Sequence, residues 1–243
     1  MKMRLVVQLL LAVLVPLILT SVTSQALAVS CNELLSDNKW IKKLASSKEQ
    51  QAAYLTKLNK YVKSDVKNQA KLDTLIVMSF PVLDKISPEK QAKIANFLVR
   101  AFELNASSGF ASSQHNLATT FNAPPGSTEE KLVKQDQSKF GFWTKTAAAQ
   151  GEPRAIFNLA MRMATGVPEA GIDKDVETAY ILLSILEHKF SELTPESQQQ
   201  IEDAMPFVAQ YKTAITKQLG KDTTEKLLTQ VPDYNLAGLA PKK

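Results

Sequence analysis

Two stretches of this sequence superimpose at an offset of 42 residues, and no other feature constrains the fold as much. Ala106 matches Ala148, Gly109 matches Gly151, Asn116 matches Asn158, Leu117 matches Leu159 and Ala118 matches Ala160. A period of this length suits one helix–turn–helix unit. Small residues let two helices approach, glycine reverses the chain, and leucine fills the gap between the helices. Such a unit cannot bury its apolar faces alone, so units must stack and need covering helices at both ends.

Composition agrees with helix. Glycine occurs only 8 times in 243 residues and aromatics make up 7 %, while good helix formers abound. No stretch after the N-terminal segment keeps the apolar alternation that a strand requires. Ser46 with Glu49, Ser127 with Glu130 and Asp222 with Glu225 have capping-box spacing. Ser87-Pro88-Glu89 and Thr194-Pro195-Glu196 place proline at the first helical position and an acid in the first turn. Gly109, Gly151 and Gly166 stand where helices should stop. These signals predict helices over 32–45, 47–63, 67–84, 88–107, 111–122, 128–149, 153–164, 175–190, 195–217 and 223–230. Breakers mark 122–126 and 166–174 as loops. Ile94, Phe97, Leu98, Ala101, Phe102 and Leu104 form one apolar stripe, and Ala179, Leu182, Leu183, Leu186 and Phe190 form another. Stripes of this kind are expected in a core.

The repeat resembles the Sel1-like repeat family, which is related to the tetratricopeptide repeats. Trp143, Ala147, Ala148 and Gly151 fall at that family's spacing for the end of one helix pair. Ala155, Leu159, Ala160 and Gly166 fall on the first helix of the next pair, and Val167-Pro168, Asp175, Ala179 and Tyr180 continue into its second helix. The pattern departs where Ala160 replaces the usual Gly and Met163 the usual Tyr. The first copy keeps Gly109, Gln114, Leu117 and Ala118. It has Ser113 for Ala, Phe121 for Tyr, Pro124 for the closing Gly and Phe140 for Ala, with a loop enlarged over about 124–138. Leu193 to Glu196 and Gln199 to Ile201 are similar to the closing helix of bacterial arrays. The resemblance spans about residues 98–210. It implies an all-α fold, an α-solenoid of antiparallel helix pairs with capping helices. Residues 29–97 would be an N-terminal helical extension or divergent repeats, 98–190 two Sel1-like repeats, and 191–243 C-terminal capping helices with a short tail.

The N-terminus reads as an export signal. Lys2 and Arg4 precede an apolar run over Leu5–Leu19, a polar stretch follows, and Ala26-Leu27-Ala28 closes it with small-x-small spacing. The run of about 15 residues is short for a spanning helix, which needs roughly 20. Cleavage after Ala28 is expected, giving a secreted or periplasmic protein. Ala28-Val29-Ser30-Cys31 is a degenerate lipoprotein box, so Cys31 is a possible lipidation site. As the chain's single cysteine it makes no internal disulfide. Removing residues 1–28 takes two of the 29 basic residues, leaving a net charge of +3 against 24 acids. Both signs are interspersed and no basic block interleaves with aromatics, so nucleic acid has no support as a partner. No second long apolar run follows, so no membrane span is expected after signal removal.

Few residues offer chemistry. His115 and His188 are the only histidines, far apart and outside any metal-ligand spacing. His115 is expected packed or half-exposed, and His188 at a helix end, where positive charge suits the dipole. No nucleophile elbow, phosphate loop or dinucleotide turn is present. Glu129-Glu130 reads as helix-start charge, and Asp173 and Asp175 as turn or capping residues. Asn105-Ala106-Ser107 is a glycosylation triplet that falls inside a helix. Catalytic residues, metal ligands and cofactors are therefore expected to be none. Trp143 and Tyr180 are expected to pack helix against helix. Arg154, Phe157, Met161 and Arg162 lie on the first helix of the second repeat, which lines the concave side in the resembled family; outward-facing Arg and Phe there would make a peptide-binding patch, the alternative being a solvated face with one buried Phe. The expected function is an exported adaptor whose partner is another protein or peptide. The alternatives are a structural envelope lipoprotein, a cell-wall hydrolase using carboxylates on 32–97, and a glycan binder.

Overall fold

The computed structural model describes residues 49, 51, 52, 56, 66–83 and 87–241. The chain divides into two compact units after Ser46, and all described residues belong to the second. The export signal, Cys31, Ser46 and the expected helix over 32–45 lie outside the described residues; of the expected helix over 47–63, only Glu49, Gln51, Ala52 and Thr56 are described, and all are helical.

The described residues are all-helical, with one isolated antiparallel bridge between Val167 and Ile172. We number the helices α1 Val66–Leu83, α2 Pro88–Ser107, α3 Ala111–Phe121, α4 Thr128–Leu132, α5 Gln137–Ala149, α6 Pro153–Thr165, α7 Val176–Lys189, α8 Pro195–Ile201, α9 Met205–Leu219 and α10 Lys221–Leu228. Packing follows chain order: α1 on α2, α2 on α3, α3 on α5, α5 on α6, α6 on α7, and α7 on α9 and α10.

Four of the five matched pairs share one burial environment, and the fifth, the glycines, shares a turn geometry. Ala106 and Ala148 are buried, as are Leu117 with Leu159 and Ala118 with Ala160. Asn116 and Asn158 are both half-buried. Gly109 and Gly151 turn at φ +95° and +84°, where a side chain would be strained, and each donates its N–H to the alanine three residues back. The two hairpins meet directly, because Gln150 donates to Gln114 Oε1 at 2.6 Å.

Most expected helices agree within two residues, and α2 agrees at both ends. Its stripe needs one correction: Leu104 is half-buried and Asn105 is fully buried in its stead. Phe102 of this helix stacks on Phe80 of α1, with ring centroids 6.4 Å apart.

Two expected helices are broken. The helix over 128–149 stops at Leu132 and restarts at Gln137. Between them Val133 turns inward and is buried, while the Gln135 amide accepts from Ala123 N–H and donates to Val133 O. Asp136 then caps α5 by accepting from Lys139 N–H. The helix over 195–217 is interrupted by a 3₁₀ turn over Glu202–Ala204. Pro206 lacks the N–H that would bond Glu202 O, and its ring would clash there. The first turn of α10 is a further correction. Gly220 occupies the cap position, Asp222 lies inside the helix, and Glu225 faces Lys221 across 3.6 Å. Ser127 does cap α4 through Glu130 N–H, while the Glu130 carboxylate reaches back to Gly126 N–H.

Gly141 shows how tightly α5 is seated. A Cβ built there would lie 1.8 Å from the backbone carbonyl oxygen of Ala170. Gly141→Ala is therefore expected to destabilise the fold by about 2 kcal/mol, although alanine is the better helix former by about 1 kcal/mol. Urea denaturation checks it; a gain in stability would mean the 168–170 turn yields freely.

Candidate functional site

The candidate site is built on α6. Pro153 stands at its first position with φ pre-set for helix. Ala155, Ile156, Leu159 and Ala160 are buried and seat the helix against α5 and α7. At 100° per residue, Arg154, Phe157 and Met161 fall on the side opposite this buried face. Phe157 and Met161 are half-buried. Arg162 is exposed on the flank, with its guanidinium 5.6 Å from the Phe140 ring centroid. The structure thus groups Arg154, Phe157 and Met161 on one face and sets Arg162 beside them.

Arg154 differs from the free anchor that its position suggests. Its Nε donates to Glu152 Oε1 at 2.8 Å, one terminal nitrogen donates to Asn116 Oδ1 at 3.3 Å, and the other to Ser112 Oγ at 3.0 Å. Its side chain is only 23 % exposed. Both partners on α3 belong to a larger polar network centred on Asp73 of α1. Ser112 Oγ donates to Asp73 Oδ2 at 2.9 Å, Asn116 Nδ2 donates to the same oxygen at 2.8 Å, and Ser113 Oγ donates to Oδ1. Asn105 on α2 donates to Ser113 Oγ and to Gln69 O, and Gln69 Nε2 donates to Ser108 Oγ. Side chains from α1, α2, α3 and α6 are thereby joined, with Asp73 buried and Asn105 and Ser113 wholly enclosed. Hydrogen bonds to a charged acceptor are the strong ones, so this network fixes how the four helices sit.

Beside it lies His115, also buried. Burial, with Arg154 adding, holds its imidazole far below the ordinary value, at about 3. Its Nδ1 is enclosed without a hydrogen-bond partner, as are Asn105 Oδ1 and Thr144 Oγ1. Of the two placements expected for His115, packed or half-exposed, the structure has the packed one, while the network around Asp73 was not expected.

Tyr180 is buried, and the Lys212 ammonium lies 5.3 Å from its ring centroid. Trp143 is half-buried rather than core and meets Phe142 edge-on at 5.0 Å; Phe142 itself is 47 % exposed. Asp175 caps α7, accepting from the backbone N–H and hydroxyl of Thr178, while Asp173 is exposed. His188 lies in the last turn of α7. It lines a shallow groove of about 370 Å³ with Ser184, Glu187, Lys212, Leu228 and Val231, in which Lys212 pairs with Glu187.

Among the described residues no group of three His, Cys, Asp or Glu side chains could hold a metal ion, and no helix is long and apolar enough to cross a membrane. The fold and site define an all-helical protein with a half-exposed aromatic and thioether face beside an internally clamped arginine. No family model, curated protein or solved structure matches the chain.

Proposed function

We propose that this chain is an exported adaptor of the Sel1-like type, an α-solenoid of antiparallel helix pairs that holds a partner protein or peptide against α6. The observation that carries the reading is the juxtaposition on that helix. Phe157 and Met161 leave apolar surface at the face where Arg154 is held by three hydrogen bonds. Aromatic and arginine anchors carry most of the energy in protein interfaces, and an anchor already immobilised loses less entropy on binding. A guanidinium has five N–H donors. Three are engaged within the chain, which leaves two for a partner. The equal burial of four matched pairs and the shared left-handed turn of the fifth support the repeat assignment, and the basic–apolar–small pattern of residues 2–28 supports export.

Arg154 also holds the fold together, so the test leaves it in place. Phe157→Ala/Met161→Ala should unfold at nearly the same temperature as wild type. In affinity capture from envelope extracts, at least one partner recovered by wild type should fall about tenfold with the variant. Equal recovery of every partner by both proteins would exclude this face.

A further inference from the structure

The chain does not end at α10. Residues 232–241 run back along the molecule, and their turn over Leu236–Leu239 packs on α5, nearly a hundred residues earlier in sequence. On the way Tyr234 lies by the start of α7. Burial pushes its phenol up, against an opposing hydrogen bond with Thr178, and nearby Asp175 adds to the rise.

This segment is attached differently from the rest of the unit. Val231 is the last buried side chain before it. Beyond that residue Tyr234, Leu236, Leu239 and Pro241 are half-buried, and Pro232, Asp233, Asn235, Ala237, Gly238 and Ala240 are exposed. Its backbone bonds are local: Tyr234 N–H to Val231 O, Gly238 N–H to Asn235 O and Ala240 N–H to Ala237 O. The Asn235 side chain caps the turn by accepting from Ala237 N–H. A few half-covered side chains thus hold about ten ordered residues against α5. Partial burial with exposed local hydrogen bonds marks the low-stability end of a fold.

We propose that residues 232–241 form a releasable strap, and that the surface beneath it, on α5 and at the start of α7, is a docking site for a partner peptide that takes the same turn and carries an aromatic and two aliphatic side chains at the spacing of Tyr234, Leu236 and Leu239. The strap is the chain's own occupant of that site, and a partner of like chemistry takes its place. The site is separate from the α6 face and stands whether or not that face binds anything.

The test uses the full chain. Leu236→Asp/Leu239→Asp should free the strap while leaving the helices intact. A fluorescent synthetic peptide of residues 231–243 should then bind the variant at least tenfold more tightly than wild type, read by anisotropy. Hydrogen exchange on wild type gives an answer even if the variant folds poorly. Amides of 234–240 should exchange at least a hundredfold faster than those of α5. Equal peptide binding by the folded variant and wild type would overturn the proposal. So would strap amides as protected as those of α5, which would make the segment a permanent part of the fold.

Discussion

Asp73→Ala is expected to lower the unfolding free energy by about 3–4 kcal/mol, a large share of what a domain of this size has to lose. The Asp73 carboxylate accepts from Ser112, Ser113 and Asn116. Ser113 is wholly enclosed and cannot turn to water for a substitute. Removing the carboxylate leaves its donors unpaired and deletes the negative charge that faces Arg154 through Ser112 and Asn116. Asp73→Asn keeps one acceptor oxygen and should lose about half as much. Urea denaturation of the two variants separates charge from shape. A loss under 1 kcal/mol for the alanine variant would mean that the network is incidental to stability.

The second large effect is in pH. His115 stays neutral in the fold down to about 3, whereas in the unfolded chain it takes a proton near 6.5. Between these values the unfolded state binds a proton that the native state refuses, so stability rises with pH through that window and is flat above it. The slope approaches about 1.4 kcal/mol per pH unit, so going from pH 7.5 to pH 4.5 should cost roughly 3 kcal/mol from this residue alone. Carboxylates titrate in the same range, and comparison with His115→Gln removes them. The wild-type and variant curves of unfolding free energy against pH should run parallel above pH 7 and separate below 6. Curves that stay parallel to pH 4.5 would show that His115 is protonated inside the fold.

How far the sequence reveals this molecule depends on the range of each interaction. The bounds of α2 are legible because Ser87-Pro88 opens the helix and Gly109 closes it, all within the helix's own neighbourhood. The break ahead of Pro206 has an equally local cause, that proline's missing N–H and its ring. The interruption at 133–136 is harder to see. Asp136 caps α5 without an acid or amide three residues on, and Gln135 supplies its bonds from side chain to distant backbone. The family resemblance singles out Arg154, Phe157, Met161 and Arg162 on the first helix of the second repeat, and helical periodicity accounts for Phe157 and Met161 lying opposite the buried face of α6. The Asp73 network could not be read in either way. Its members are 36 to 43 residues apart in sequence, from Gln69 and Asp73 to Asn105, Ser112, Ser113 and Asn116. Each alone reads as an ordinary polar residue on a helix, and only their convergence makes a clamp. It also changes the reading of Arg154 from a free anchor to one held in place.

An adaptor of this kind requires Phe157 to touch its partner. A photoreactive phenylalanine analogue at position 157, irradiated in intact cells that make the protein, should form a covalent adduct with one discrete polypeptide. The same analogue at exposed Glu177 on α7 should not. Adducts of equal yield at both positions, or none at 157 while the protein is folded, would contradict the claim that the outer face of α6 receives a partner.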